Sequence, residues 1–212
     1  MTRVLAIADE VDEGMYGEKL QRLQPDVILS CGDLPFDYLE NLASRSDAPL
    51  LYVPGNHDPD LRPRDMWSPL SPDPPITGPQ GCINVDGHVV EAGGIRVAGL
   101  GGSMRYRPGP NQYSEAQMRW RVLRIEMLVR LRGARGGRRL DVLLTHAPPD
   151  EGVAGEADLA HRGFAAFNRL INDLRPSLHF HGHVHPYGTS RPVRRLGRTS
   201  IVNAIPYQLV EV

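Results

Sequence analysis

Cysteine is scarce in this chain and lysine nearly missing. The two cysteines, Cys31 and Cys82, have no CxxC spacing and no histidine partner in sequence, which excludes a zinc finger and keeps thiolate out of any metal site. Cys31, next to Gly32-Asp33, is expected to pack as a small apolar residue. Of 24 basic residues only Lys19 is a lysine; the arginine bias reflects genome composition more than heat adaptation, for which it is a poor marker. Long apolar runs are lacking too. The N-terminus carries only Val4–Ala8 before Asp9, too short for a signal peptide or a spanning helix, so a soluble, cytoplasmic protein with no membrane partner is expected. Nor is there an excess of charge: the net value of −1 gives no global pull toward nucleic acid or an anionic membrane. Gly99-Leu100-Gly101-Gly102-Ser103 resembles a phosphate cradle but lacks the Lys-Ser/Thr of a P-loop, which leaves an ATPase reading weak, and the glycines read as a sharp turn after a strand.

What is present is an ordinary globular composition, 41% hydrophobic and 23% charged over 212 residues, for which one domain, 1–212, is the expectation. Apolar runs alternate with helical patterns: strand Val4–Ala8, helix near Tyr16–Leu23, strand Val27–Ser30, helix near Phe36–Ala43, strand Leu50–Val53. That βαβαβ opening implies parallel strands covered by helices. Seven prolines between Pro59 and Pro79 rule out a regular helix and read as an irregular loop bordering whatever His57 does. Val89–Ala92 and Ile95–Leu100, joined by Gly93-Gly94, read as a hairpin that starts a second sheet. Ser114 and Gln117 have capping-box spacing, so a helix over Glu115–Arg132 is predicted, with Trp120, Leu123, Met127, Leu128 and Leu131 as its core stripe. Strands at Val142–Thr145, Leu178–Phe180, Thr199–Val202 and Tyr207–Val210 complete the pattern.

Residues 179–185 read His-Phe-His-Gly-His-Val-His, four of the eight histidines in seven positions. So dense a cluster points to bound metal. Gly32-Asp33, Gly55-Asn56-His57-Asp58 and Thr145-His146 each end an apolar run as well. Ligand sites in such sheets gather beyond the carboxyl ends of the strands, which lets Asp9, Asp33, Asn56, His57, His146, His183 and His185 converge from distant positions. Carboxylate, amide and imidazole together suit Mn, Fe, Co or Zn.

The ordered series Asp9, Gly32-Asp33, Gly55-Asn56-His57-Asp58, Thr145-His146 and Gly182-His183-Val184-His185 resembles the calcineurin-like metallophosphoesterase superfamily over nearly the whole chain. The resemblance implies an α/β fold, a four-layer αββα sandwich of two mixed β-sheets flanked by helices, with two divalent metal ions, Mn or Fe by preference and Zn, Co or Ni as substitutes. By that resemblance Asp33 bridges both ions, Asp9 and His185 hold the first, and Asn56, His146 and His183 hold the second. Two cations about 3.5–4 Å apart acidify a shared water and bind phosphoryl oxygens, so that hydroxide attacks phosphorus in line with the leaving group. His57 would protonate the leaving oxygen or stabilise its charge, with Asp58 fixing the His57 tautomer.

One position departs from the pattern. The family begins with Asp-x-His, and here Asp9-Glu10-Val11 puts a valine where that ligand belongs. The first site is then weak or empty unless Asp12 or Glu13 swings in. Around the core set, His179 and His181 read as packing residues or supports of the ligands, and His88 as structural. His161, Arg105 and Tyr106 are candidate substrate contacts, with Arg107 and Tyr113 within the same reach. Eight arginines between Arg119 and Arg139 form the one basic stretch, read as a solvated helix face or as a patch that steers nucleic acid. The expected activity is a metal-dependent phosphoesterase, a phosphodiesterase rather than a monoesterase because no cap region closes over a small phosphate, acting on a small phosphoester or nucleotide. The alternatives are a catalytically silent scaffold on the same fold, as the retromer scaffold subunit is, and a nuclease, for which the chain lacks an added DNA-binding region.

Overall fold

The computed structural model describes residues 1–61, 78–134, 139–152, 160–185 and 193–212. In chain order its elements are β1 (Arg3–Ile7), α1 (Lys19–Leu23), β2 (Val27–Ser30), α2 (Phe36–Ser44), β3 (Leu50–Tyr52), β4 (Cys82–Asn84), β5 (Val89–Ala92), β6 (Ile95–Leu100), β7 (Ser103–Met104), β8 (Gln112–Tyr113), α3 (Glu115–Ala134), β9 (Val142–Thr145), α4 (Ala165–Leu174), β10 (Leu178–His181), β11 (Arg194–Leu196), β12 (Thr199–Asn203) and β13 (Tyr207–Glu211). A short 3-10 turn, Glu13–Tyr16, precedes α1. One sheet has the order β13-β1-β2-β3-β4 and the other β11-β12-β10-β9-β6-β5. Each is parallel in its centre and antiparallel at an edge: β13 runs against β1, β5 against β6 and β11 against β12.

Alternation along the central strands explains the layering. Val4 and Ala6 of β1, Val27 and Leu29 of β2, and Val142 and Leu144 of β9 meet in one cluster between the sheets. Their neighbours point the other way: Leu5, Ile7 and Ile28 join Met15, Leu20, Tyr38 and Leu42 under α1 and α2, while Leu143 joins Val122, Ile125, Phe167 and Leu170 under α3 and α4. Strands apolar at every position must be covered on both faces. Three cores between four layers give the expected αββα sandwich of two mixed sheets flanked by helices.

Local chemistry accounts for several boundaries. The Gln117 amide N–H donates to Ser114 Oγ at 3.2 Å and the Ser114 N–H donates to Gln117 Oε1 at 2.9 Å, a reciprocal capping box. Gly93 and Gly94 take φ of 56° and 79°, the left-handed pair a tight hairpin needs. Expected Tyr16–Leu23 is instead the 3-10 turn followed by the five-residue α1. The edge strands β4 and β11 have no sequence signal, because they are short and show no apolar alternation. The proline-rich stretch lies largely outside the described residues.

The core face of α3 is a correction. Met118, Val122, Ile125 and Val129 are buried, whereas Trp120 is 74% exposed, Met127 54% and Leu131 59%; of the five residues expected inside, only Leu128 packs on the core. The helix carries two apolar stripes half a turn apart, and a 3.6-residue period fits both. Of the basic stretch, Arg121 pairs with Asp86 and stacks 4.1 Å above the Tyr113 ring, so it is structural. Among the described residues no helix is long and apolar enough to cross a membrane.

The corrected helix face can be checked by mutation. Ile125→Ala should cost about 2–5 kcal/mol, and Trp120→Ser should stay within about 0.5 kcal/mol of wild type; the reverse order in urea melts would restore the outer stripe to the core. A second expectation concerns His179. Its Nε2 stands 2.7 Å from Thr145 Oγ1, whose own proton goes to the Ala147 carbonyl, and its Nδ1 is buried without a partner. Nε2 therefore carries the proton, and burial first, then the neighbouring His181 and Arg194, hold the pKa well below the ordinary 6.5. Below pH 6.5 the unfolded chain takes up a proton at this residue that the folded chain refuses, so stability falls as pH drops, by up to about 1.4 kcal/mol per unit. His179→Gln keeps a donor for Thr145 and should flatten that slope in melts between pH 7.5 and 5.5; an unchanged slope would assign the acid sensitivity elsewhere.

Candidate metal centre

Both sheets send the carboxyl ends of their parallel strands to the same edge of the sandwich. Asp9 follows β1, Asp33 follows β2, and Asn56 and His57 follow β3; His146 follows β9, and His183 and His185 follow β10. Hydrogen bonds across the seam bind the two groups of loops. The His146 Nδ1 donates to the Cys31 carbonyl at 2.8 Å, and the His183 amide N–H donates to the Asp9 carboxylate at 3.0 Å.

These loops are strained where the candidate ligands sit. Asp9, Asp33 and His183 adopt φ of 59°, 56° and 68°, a left-handed conformation that costs a non-glycine residue of order 1 kcal/mol or more and clusters at functional sites. The neighbouring glycines are steric necessities. A Cβ on Gly55 would overlap the Asp33 carboxylate, and one on Gly182 would overlap that of Asp9.

At the centre, Asp33, His146 and His183 offer donor atoms that all lie within 4.8 Å of one another. Since His146 Nδ1 is protonated toward Cys31, its Nε2 faces the site, 2.9 Å from Asn56 Oδ1 and 3.3 Å from Asp33 Oδ2. Three electron pairs thus converge on one spot, which demands a proton or a cation between them. His183 Nε2 donates to the Ala160 carbonyl at 2.5 Å, leaving Nδ1 as its free donor atom. The carboxylate, amide and imidazole atoms present fit a divalent ion at this position.

The titration behaviour says the same. Burial works against a charge on His146, but its contact with Asp33 and the Asp9 charge outweigh burial and raise its pKa. Burial would raise Asp33, yet His146 and the His57 backbone N–H at 2.8 Å take it below the usual carboxylate range. Asp9 is raised, mainly by burial. Burial, with the nearby His146, lowers His183 to about 4, so its imidazole is neutral at neutral pH. Positive charge is wanted between Asp33 and His146, and a neutral donor stands ready beside them.

The other expected position is less assembled. Asp9 accepts from His183, while His185 is exposed and its Nδ1 lies 3.0 Å from Glu10 Oε1. Val11 packs on the core under α1 and α2. Asp12, expected as a replacement ligand, accepts from the Gly14 N–H at 2.9 Å and pairs with Lys19 at 2.5 Å, so it is committed elsewhere. Glu10, next to Asp9 in the chain, is thus the side chain that meets His185.

Around this set, Asp58 accepts from the Gly55 N–H at 2.7 Å and the Asp33 N–H at 3.1 Å. It therefore ties the two loops together, where an orienting bond to the His57 ring was expected. His57 is exposed at the rim. Tyr106 reaches the site through its hydroxyl, 3.4 Å from Asn56 Nδ2, and His161 stands with its ring centroid 5.9 Å from that of His183. Arg105 spends a guanidinium nitrogen on Gln117 Oε1 and the Gln112 carbonyl, yet it still lines a 560 Å³ groove with Tyr106, Arg107, Pro108 and Gly109. His181 is buried and donates from Nδ1 to the Gly182 carbonyl at 3.0 Å.

The family model for calcineurin-like phosphoesterases matches residues 4–187. Among solved structures, one is 18% identical with a TM-score of 0.62, the alignment covering 96% of this chain and 90% of the other. The TT1561 protein of Thermus thermophilus is 17% identical with a TM-score of 0.60, covering 96% and 88%. At these identities the likeness is one of fold. A single mutant of Vps29 from Entamoeba histolytica aligns more loosely, at 14% identity and a TM-score of 0.41, covering 95% and 73%. Among curated proteins none matches.

A charge and a single donor should weigh differently on bound metal. Asp33→Asn removes the negative charge at the centre, whereas His146→Ala strips one neutral donor, so elemental analysis should find the greater metal loss in Asp33→Asn. Equal stoichiometry in the two variants would contradict a central place for Asp33.

Proposed function

Because the chain belongs to the calcineurin-like phosphoesterase family, we propose that it is a cytoplasmic metal-dependent phosphodiesterase of small phosphoesters or nucleotides, with Mn or Fe as its ions. The convergence of Asp33, Asn56, His146 and His183 on one point carries the reading. These four residues would hold one ion, and Asp9, Asp33 and His185 the other. When bound, two divalent cations lower the pKa of a water shared between them and neutralise charge on the phosphoryl oxygens.

The chain's own part is orientation and proton supply. The His57 N–H fixes one oxygen of Asp33 while Oδ2 faces His146, so the carboxylate is held with its two oxygens aimed apart. The His57 ring, exposed at the site, would donate a proton to the departing oxygen. Asn56 is held at its amide nitrogen by Tyr106, which turns its oxygen inward. The groove beside Tyr106 offers room for the second substituent of a diester, and the Arg107 guanidinium, 5.3 Å from the Tyr106 ring, offers a cation for a further phosphate. With a net charge of −1 and an ion-paired Arg121, nucleic acid is not favoured as substrate.

The decisive assay compares Mn²⁺-dependent hydrolysis of bis(p-nitrophenyl) phosphate and p-nitrophenyl phosphate. The diester should turn over faster. No hydrolysis of either by metal-loaded protein would leave the scaffold reading, which Val11 favours. His57→Ala, which retains the backbone N–H to Asp33, should lower turnover by roughly 10²–10⁴-fold at unchanged metal content; full activity would remove His57 from the chemistry.

A further inference from the structure

The family histidine is replaced by Val11, and the structure shows why that valine is not simply a lost ligand: it faces inward, against the cluster built from Met15, Leu20 and Tyr38. What stands beside His185 is the residue before it. Glu10 Oε1 lies 3.0 Å from His185 Nδ1, with both side chains about half exposed, 53% and 55%. Two contacts produce this meeting. The Glu10 N–H turns back onto the Ala8 carbonyl at 2.6 Å, and the His183 N–H clips its loop onto Asp9, so the residues that follow these two anchors face each other across the seam. The loop of His185 is held from behind as well, since Asn203 Nδ2 donates to the Val184 carbonyl at 2.7 Å.

We propose that Glu10 supplies to the first metal ion the ligand that Val11 cannot. The inference rests on the two-ion reading given above and adds to it a residue and a preference. With Glu10 Oε1 3.0 Å from His185 Nδ1, a carboxylate oxygen and an imidazole nitrogen from the two loops already stand close enough together to be shared by one cation. Asp12 is excluded from the role by its bonds to Gly14 and Lys19. The consequence is an asymmetric centre. The first position offers three carboxylates, from Asp9, Glu10 and Asp33, with one imidazole, and the second offers one carboxylate, one amide and two imidazoles. Oxygen-rich sets suit Mg and Mn, and imidazole suits Zn and Fe, so the first position takes the harder ion.

The test is a Mn²⁺ titration of metal-stripped protein, with free Mn²⁺ read by electron paramagnetic resonance, on wild type, Glu10→Gln, Glu10→Ala and Asp12→Asn, with melting temperatures confirming that each is folded. Wild type should bind two ions, one tighter than the other. Glu10→Gln keeps an oxygen that can accept from His185 but loses the charge. If Glu10 is a ligand, the weaker site should lose tenfold or more in affinity, the tighter site should stay within twofold, and Glu10→Ala should be worse. Asp12→Asn should match wild type. Glu10→His should retain a second ion while raising the preference for Zn²⁺ over Mn²⁺. Wild-type affinities in Glu10→Gln would reduce Glu10 to a hydrogen-bond partner of His185 and overturn the proposal, as would a wild type that binds one ion at saturating Mn²⁺. Two-ion binding that depends on Glu10 in a protein without diester hydrolysis would refute the phosphodiesterase reading and leave Glu10 standing; hydrolysis with binding indifferent to Glu10 would do the opposite.

Discussion

The structure turns on a concentration of unbalanced electron pairs at the seam between two sheets. Asp33 Oδ2 and Asn56 Oδ1 both lie within 3.3 Å of His146 Nε2, in a place from which most water is excluded. Such a group of acceptors is stable only with positive charge among them. The rest of the loop architecture serves to keep it assembled: Asp58 ties the Gly55 and Asp33 backbones, the Cys31 carbonyl fixes the ring of His146, and Asp9 pins the amide of His183. Most of these bonds join segments distant in sequence, so the site and the packing of the sheets are one cooperative object.

The backbone bears the cost of that arrangement. Three residues carrying acidic or imidazole donors sit at positive φ, and glycines beside them are needed because a carboxylate already occupies the space of a side chain. A cation that joins the donors would offset the strain and the repulsion between Asp9 and Asp33, which together with burial raises the Asp9 pKa. Metal binding and loop stability are therefore linked, since an ion that binds only the folded state stabilises it.

The two metal positions differ in how ready they are. Where His146 and His183 contribute, the donors are buried and oriented by bonds at their far nitrogens, the arrangement that raises ligand basicity and fixes the tautomer. Around His185 the side chains are half exposed and lean on each other. On the proposed two-ion reading, a seam that is dry on one side and wet on the other would hold one ion tightly and the other weakly.

Much of this was legible in the sequence, and for identifiable reasons. Strands apolar at every position announce burial on both faces, and motif residues directly after them announce loops at the carboxyl ends; the four-layer sandwich, and Asp9, Asp33, Asn56, His146, His183 and His185 as a ligand set, came from the motifs' resemblance to the family, and of that set the structure brings Asp33, Asn56, His146 and His183 together. The Ser114–Gln117 cap and the Gly93-Gly94 hairpin were readable because their causes are local. What tertiary structure alone decided are matters of direction. Two stripes of α3 fit one period equally well, and only the surface of the second sheet selects Val122 and Ile125 over Trp120 and Met127. Asp58 was free in sequence to serve the neighbouring His57 ring, but the approach of Gly55 to Asp33 brings it two backbone donors. Val11 and Glu10 divide their roles, one into the core and one toward His185, because the turn after β1 fixes which way each side chain points. Residue type and spacing set which chemistry is available; the orientation of each group is settled by contacts between segments far apart in the chain, and those exist only once the two sheets have met.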